Sequence, residues 1–125
     1  MANPSSSDDK PDHQRTVMDE WDELPDSETM ISDCDAAIKR NPNDVEAFNW
    51  RGVGRAELGD FENAIVDYSE AIRLKPDDTV AFNNRAFAYE AKGDWDEAIK
   101  DYSEAIRLEP GYATAWANRG VAYHN

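Results

Sequence analysis

The chain has 125 residues, enough for one domain with a modest core, and 27 acids against 13 lysines and arginines leave a net charge of −14. That balance repels nucleic-acid backbones and anionic membrane surfaces, so neither is an expected partner. No apolar run reaches half a membrane span, and the start, Met-Ala-Asn-Pro-Ser-Ser-Ser-Asp-Asp, lacks the basic and apolar regions of a secretory signal, so a cytoplasmic protein is the expectation.

The charge is uneven along the chain. Residues 1–28 hold nine acids (Asp8, Asp9, Asp12, Asp19, Glu20, Asp22, Glu23, Asp26 and Glu28) against Lys10 and Arg15. Residues 1–26 therefore read as an acidic, disordered N-terminal tail with too little to bury. Within it Val17, Met18, Trp21 and Leu24 fall on one helical face. A second reading is a short amphipathic helix that docks as a cap on the following stack or in its groove.

A repeat domain is expected over 27–125. Its first part, a half repeat over 27–44, carries the apolar stripe Ile31, Cys34, Ala37 and Ile38 and ends at Pro42. Cys34 is the only cysteine, which excludes an internal disulfide. On that stripe it reads as a small hydrophobe rather than a reactive thiol or a metal ligand. Residues 44–58 form the next helix, capped by Asn43 or Asp44 and ended by Gly59. Asp60 caps a helix whose core face is Phe61, Ala64, Ile65, Tyr68, Ala71 and Ile72, and Pro76 stops it.

The scheme then recurs with Phe82, Ala86 and Tyr89, Gly93 as stop, and Asp94 as cap backed by Glu97 in a capping box. Trp95, Ala98, Ile99, Tyr102, Ala105 and Ile106 carry the following core face, and Pro110 ends it. The octapeptide Asp-Tyr-Ser-Glu-Ala-Ile-Arg-Leu stands at 67–74 and again at 101–108, a spacing of 34 residues. Residues 45–78 laid over 79–112 agree at 17 of 34 positions, and Glu28–Asp44 laid over Glu62–Asp78 agree at 7 of 17. A fixed period of this length with helical spacing inside it marks a stacked helical repeat.

This yields full repeats at 45–78 and 79–112 and a truncated one at 113–125, whose helix lays Trp116, Gly120 and Tyr123 on the helix before it. Small residues (Gly52, Ala64, Ala71, Ala86, Ala98, Ala105, Gly120) mark close helix approaches. Arg51, Arg85 and Arg119 recur one helix away from Asp33, Asp67 and Asp101, which points to structural ion pairs.

The series Phe48, Gly52, Gly59, Ala64, Tyr68, Ala71 and Pro76, echoed at Phe82, Ala86, Tyr89, Gly93, Ala98, Tyr102, Ala105 and Pro110 and again at Trp116, Gly120 and Tyr123, resembles the tetratricopeptide repeat family. Arg55 departs from it, standing where Tyr89 and Tyr123 stand in later copies. The resemblance implies an all-α, right-handed superhelical solenoid of antiparallel helix pairs whose first helices line a concave groove for a partner peptide or helix.

Carried over residue by residue, the groove would comprise Glu46, Asn49, Trp50, Val53 and Ala56; then Val80, Asn83, Asn84, Phe87 and Glu90; then Thr114, Ala117, Asn118, Val121 and His124. Asparagine can donate to and accept from a peptide backbone, and Trp50 and Phe87 offer apolar anchors. Of the basic and asparagine set by which one branch of the family clamps acidic chaperone C-termini, only Asn84 matches, so that ligand is not expected.

No phosphate-binding glycine loop, His-Glu-x-x-His, Cys-x-x-Cys or calcium loop occurs in the sequence. The expected function is a protein–protein interaction scaffold without catalytic residues, cofactor or metal, as a monomer or weak homodimer. The alternatives are a structural module that self-associates through its uncapped C-terminal helix, and the repeat part of a larger enzyme. A chain starting at Ser27 should melt within a few degrees of the full chain, measured by circular dichroism. A much lower melting temperature would show that the Val17, Met18, Trp21 and Leu24 face packs on the stack.

Overall fold

The computed structural model describes residues 26–124. These form six helices: α1 (Ser27–Arg40), α2 (Val45–Glu57), α3 (Phe61–Leu74), α4 (Thr79–Ala91), α5 (Trp95–Leu108) and α6 (Ala113–Tyr123). Among the described residues there is no strand, and the fold is an all-α solenoid. The two readings of Val17, Met18, Trp21 and Leu24 lie outside the described residues.

Aspartates start most of the helices. The side chains of Asp26, Asp44, Asp60 and Asp78 accept hydrogen bonds from the backbone N–H of Thr29, Ala47, Asn63 and Ala81, satisfying donors that the first turn leaves open. Asp94 differs from the expectation. It stands at the N-cap of α5 but its side chain makes no capping bond, so the capping box with Glu97 is not formed.

Glycine ends α2 and α4 at the two places where the backbone turns left-handed, Gly59 and Gly93, each at φ 83°. There the N–H of Asp60 donates to the carbonyl of Arg55, and that of Asp94 to Tyr89, both at 2.9 Å. The residue that closes one helix is thus the N-cap of the next, and the chain reverses at once. Each helix packs on its sequence neighbour, and across alternate positions α2 meets α4 and α4 meets α6. The first helices of the repeats therefore lie side by side.

Among the described residues no single central core forms. Four small apolar clusters sit at the helix junctions, each built round alanines. Phe48, Ala71 and Ala81 join α2, α3 and α4, while Ala86, Ala98, Tyr102 and Ala122 join α4, α5 and α6. The close approach is tightest at Gly52, where an added Cβ would lie 2.5 Å from Tyr68 Cε1.

The expectation for α6 needs correction. α6 lies on α4 and α5 through Ala115 and Ala122, not through Trp116, Gly120 and Tyr123. Trp116 is 49 % exposed and Tyr123 64 %, whereas Phe48 and Phe82, which hold the register of Trp116, are 9 % exposed. That face of a first helix is the one covered by the helix after it. Gly120 accordingly has no neighbouring atom within 4 Å of a built Cβ.

The arginine–aspartate register pairs Arg51 with Asp67 and Arg85 with Asp101, and each arginine also has a second partner behind it. Arg51 donates to Asp67 (Nη2 to Oδ1, 2.7 Å) and to Asp35 (Nη1 to Oδ1, 2.8 Å), and Arg55 Nη1 reaches Asp67 Oδ2 at 2.9 Å. Arg85 grips Asp101 with two bonds of 2.7 and 2.8 Å and reaches back to Ser69 Oγ at 3.1 Å. Arg119 Nη1 makes the same backward bond, to Ser103 Oγ at 3.2 Å. Each partner lies 16 residues before or after its arginine, apart from the 12-residue step from Arg55 to Asp67. Asp33, in the register of Asp67 and Asp101, is exposed, and the position 16 residues before it holds Val17 rather than an arginine.

Asp67 is fully buried beneath two guanidinium groups, and losing one partner of a buried pair leaves the other charged and unsolvated. Asp67→Ala should lower unfolding free energy by about 3–5 kcal/mol in urea titrations. Ala71→Leu should cost about 1–3 kcal/mol by overpacking the α2–α3–α4 junction, and an unchanged urea midpoint would place Ala71 outside it.

Candidate functional site

The side-by-side arrangement of α2 and α4 opens a cleft between them. One part, about 680 Å³, is lined by Val45, Glu46, Asn49, Trp50, Val53, Lys75, Asp78, Val80 and Asn84. A second, about 360 Å³, is lined by Val53, Ala56, Glu57, Phe61, Tyr68, Asn83, Asn84 and Phe87. Val53 and Asn84 belong to both, so the two join into one furrow.

Most groove residues expected from sequence converge here. Trp50 and Phe87 are 55 % and 56 % exposed, and Val80 also stands clear of its own helix. Large apolar side chains left this open on neighbouring helices make an apolar surface available to a partner. Asn49 is partly committed: its Nδ2 donates to Asp78 Oδ2 at 2.8 Å, tying α2 to the start of α4, while its buried Oδ1 has no partner. Asn83 is only 8 % exposed and its Oδ1 is likewise unpaired. A buried carbonyl without a donor is costly.

Glu90, Asn118 and Val121 do not line the furrow. Asn118 is half-buried and Val121 is exposed on α6. Glu90 is half-buried, and loss of solvent raises its carboxyl above the ordinary value of 4.5, an effect offset in part by the nearby Tyr102 hydroxyl. Neither Glu90 Oε1 nor the Tyr102 hydroxyl has a hydrogen-bond partner of normal geometry.

Sequence reasoning missed Lys75 and Asp78, which come from the loop between α3 and α4, and Glu57, Phe61 and Tyr68, which reach in from the α2 end and α3. The recurrence of Asp44 and Asp78 as N-caps was the available signal for Asp78. Nothing local marks Lys75. The electrostatics of the furrow follow from where the cations are spent. Arg51, Arg55 and Arg85 are held by Asp35, Asp67 and Asp101, and those bonds hold the Arg51 and Arg85 guanidinium groups above their usual range. What remains on the lining is Glu46, Glu57 and Asp78 against Lys75.

Among the described residues no group of three or more His, Cys, Asp or Glu could hold a metal ion, and no helix is long and apolar enough to cross a membrane.

The TPR-repeat family model matches residues 55–93 and 91–125. The chain belongs to the tetratricopeptide repeat family. Solved TPR domains share its fold at low identity. The second TPR domain of human RPAP3, solved in complex with the HSP70 peptide SGPTIEEVD, superposes with a TM-score of 0.75 at 24% identity, covering 78% of this chain and 81% of that one. The first TPR of Spaghetti (RPAP3), bound to the HSP90 peptide SRMEEVD, gives 0.73 at 24% identity and 75% coverage of each chain. The TPR domain of Arabidopsis OM64 gives 0.69 at 24% identity, covering 78% of this chain and 94% of its own. No match was found among curated proteins.

The raised Glu90 carboxyl has a sign that can be checked. The folded state holds this proton more tightly than the unfolded one, so the stabilisation is present below 4.5 and is lost as pH rises through the folded value. Glu90→Gln should therefore gain stability over the native chain at pH 7 in urea titrations. The gain should shrink as pH falls toward 4.5.

Proposed function

We propose that this TPR chain is a cytoplasmic protein-interaction scaffold whose furrow between α2 and α4 binds an extended peptide or a helix of a partner protein. The observation that carries this reading is the pairing of open apolar anchors, Trp50 and Phe87, with the half-buried Asn84 amide that lines both parts of the furrow. Such a surface can bury apolar side chains and still meet a peptide backbone. The peptide-bound RPAP3 domains support the general mode, since they share the fold.

Their acidic ligands do not suit this furrow. A peptide such as SRMEEVD needs cations, and here the arginines are committed to aspartates and Lys75 faces Glu46, Glu57 and Asp78. The preferred ligand carries apolar side chains with lysine or arginine beside them. The reading assigns no catalytic residue, cofactor or metal. Asn118 and Val121 on α6 extend the same face and would be reached by a longer ligand.

The test is a panel of labelled peptides, basic–apolar and acidic, titrated against the full chain by fluorescence anisotropy. Basic–apolar members should bind and acidic ones should not. Phe87→Ala and Trp50→Ala should each weaken binding by about 1–2 kcal/mol while circular dichroism stays unchanged. Equal affinity in folded variants and native chain would remove the furrow as the site.

A further inference from the structure

Inside the stack, arginine is held by an aromatic ring and a carboxylate together. Arg51 lies over Phe48 at 5.4 Å while it bonds Asp67 and Asp35. Arg85 lies over Phe82 and Tyr89 at 5.6 and 5.9 Å while it bonds Asp101. Rings take the face of the guanidinium, and the carboxylate takes its N–H edge. The furrow holds the same two components without the cation. Its 360 Å³ part is lined by the rings of Phe61, Tyr68 and Phe87 and by the carboxylate of Glu57.

Glu57 is exposed at the end of α2, and its Oε2 accepts a hydrogen bond from Ser27 Oγ at 2.7 Å. Among the described residues no cation pairs with it, and no guanidinium lies over Phe61 or Phe87. The nearest candidates are spent elsewhere. Arg55 is bound to Asp67, and Lys92 faces Glu62 and Asp94 at 3.5 and 3.7 Å. Neither lines this part of the furrow, where Glu57 is the one charged residue of the lining. The larger part differs, since Lys75 stands there beside Glu46 and Asp78 and weakens their pull on a cation.

We propose that this pocket takes an arginine side chain of the partner peptide, its guanidinium against Phe61 and Phe87 and its N–H edge on the Glu57 carboxylate. The inference rests on the furrow as the peptide site and names the residue read at one end of it. Charge complementarity selects this occupant. An acidic side chain would face Glu57, and an apolar one would take water from that carboxylate and return no hydrogen bond. Lysine supplies charge but lacks the planar, weakly hydrated fork that can lie on a ring and still bond a carboxylate twice. The apolar side chain of the same peptide then falls to the larger part, against Trp50 and Val80. Asn84 lines both parts and meets the backbone between the two side chains.

Two titrations of the full chain test this. In the first, N-acetyl-arginine amide and its neutral isostere N-acetyl-citrulline amide are added at constant ionic strength and followed by amide NMR. The arginine compound should shift the signals of Glu57, Phe61, Asn84 and Phe87, and the citrulline compound should leave them nearly unmoved. In the second, a basic–apolar peptide is prepared with arginine, lysine or citrulline at one position and titrated by fluorescence anisotropy. Citrulline should weaken binding at least about fivefold and lysine by less. Glu57→Gln, whose amide oxygen can still accept from Ser27, and Phe87→Leu should each remove most of the arginine–citrulline difference. Arginine and citrulline peptides of equal affinity, both weakened by Trp50→Ala, overturn the arginine pocket and leave the furrow as the peptide site. Shifts from the arginine compound without any peptide binding overturn the peptide reading instead, and neither shifts nor binding overturns both. A Lys10→Ala/Arg15→Ala chain that takes the arginine compound where the native chain does not assigns the pocket to the chain's own N-terminal segment, against the proposal.

Discussion

The buried bond between an arginine of one helix and an aspartate 16 residues on is the interaction on which the solenoid depends. Arg51 and Arg85 each reach two second helices at once, one behind and one ahead, so a single guanidinium fixes the spacing of three consecutive helices. Five fixed donors in a planar fork make this possible, and a lysine could not replace it. The guanidinium also lies over the ring of Phe48 or Phe82, so its faces are used as well as its edges. Two arginines meet at Asp67 because Arg55 stands where Tyr89 stacks on Arg85 in the next repeat.

Around that lattice the apolar packing is local. Four clusters at the helix junctions replace a central core, and alanine or glycine at each centre sets how near the backbones come. A design of this kind is nearly one-dimensional, with each helix stabilised by its neighbours. Among the described residues Trp116 and Tyr123 on α6 and Asp33 on α1 stand exposed, while their counterparts inside the stack are covered by helices on both sides.

The same lattice shapes the charge of the furrow. Structural aspartates consume the arginines that point inward, so the furrow between α2 and α4 keeps its carboxylates and little positive charge. The fold and the charge of the furrow thus come from one set of side chains. The RPAP3 domains, solved with peptides of HSP90 and HSP70, share this fold at 24% identity, and a fold of this kind does not by itself set the ligand.

Much of this was legible in the residues alone. The 34-residue period, the glycine stops at Gly59 and Gly93, the aspartate caps and the alanine sites all act within one or two helical turns, so their spacing is enough to place the six helices. The groove positions Trp50, Val53, Val80, Asn84 and Phe87 could be placed by register, since a helical face follows from counting. Three-dimensional neighbours could not be counted in that way. Periodicity showed that Trp116, Gly120 and Tyr123 share a face, but not which helix that face meets, and the structure turns it away from the preceding helices. Recurrence set Arg51 against Asp67, whereas the second bond, back to Asp35, depends on how α1 packs on α2. Lys75 and Asp78 joined the furrow only when α4 closed on α2, because a loop's direction depends on both helices it connects. Local chemistry determined where each helix runs, and the packing of one helix on another decided which faces were left open.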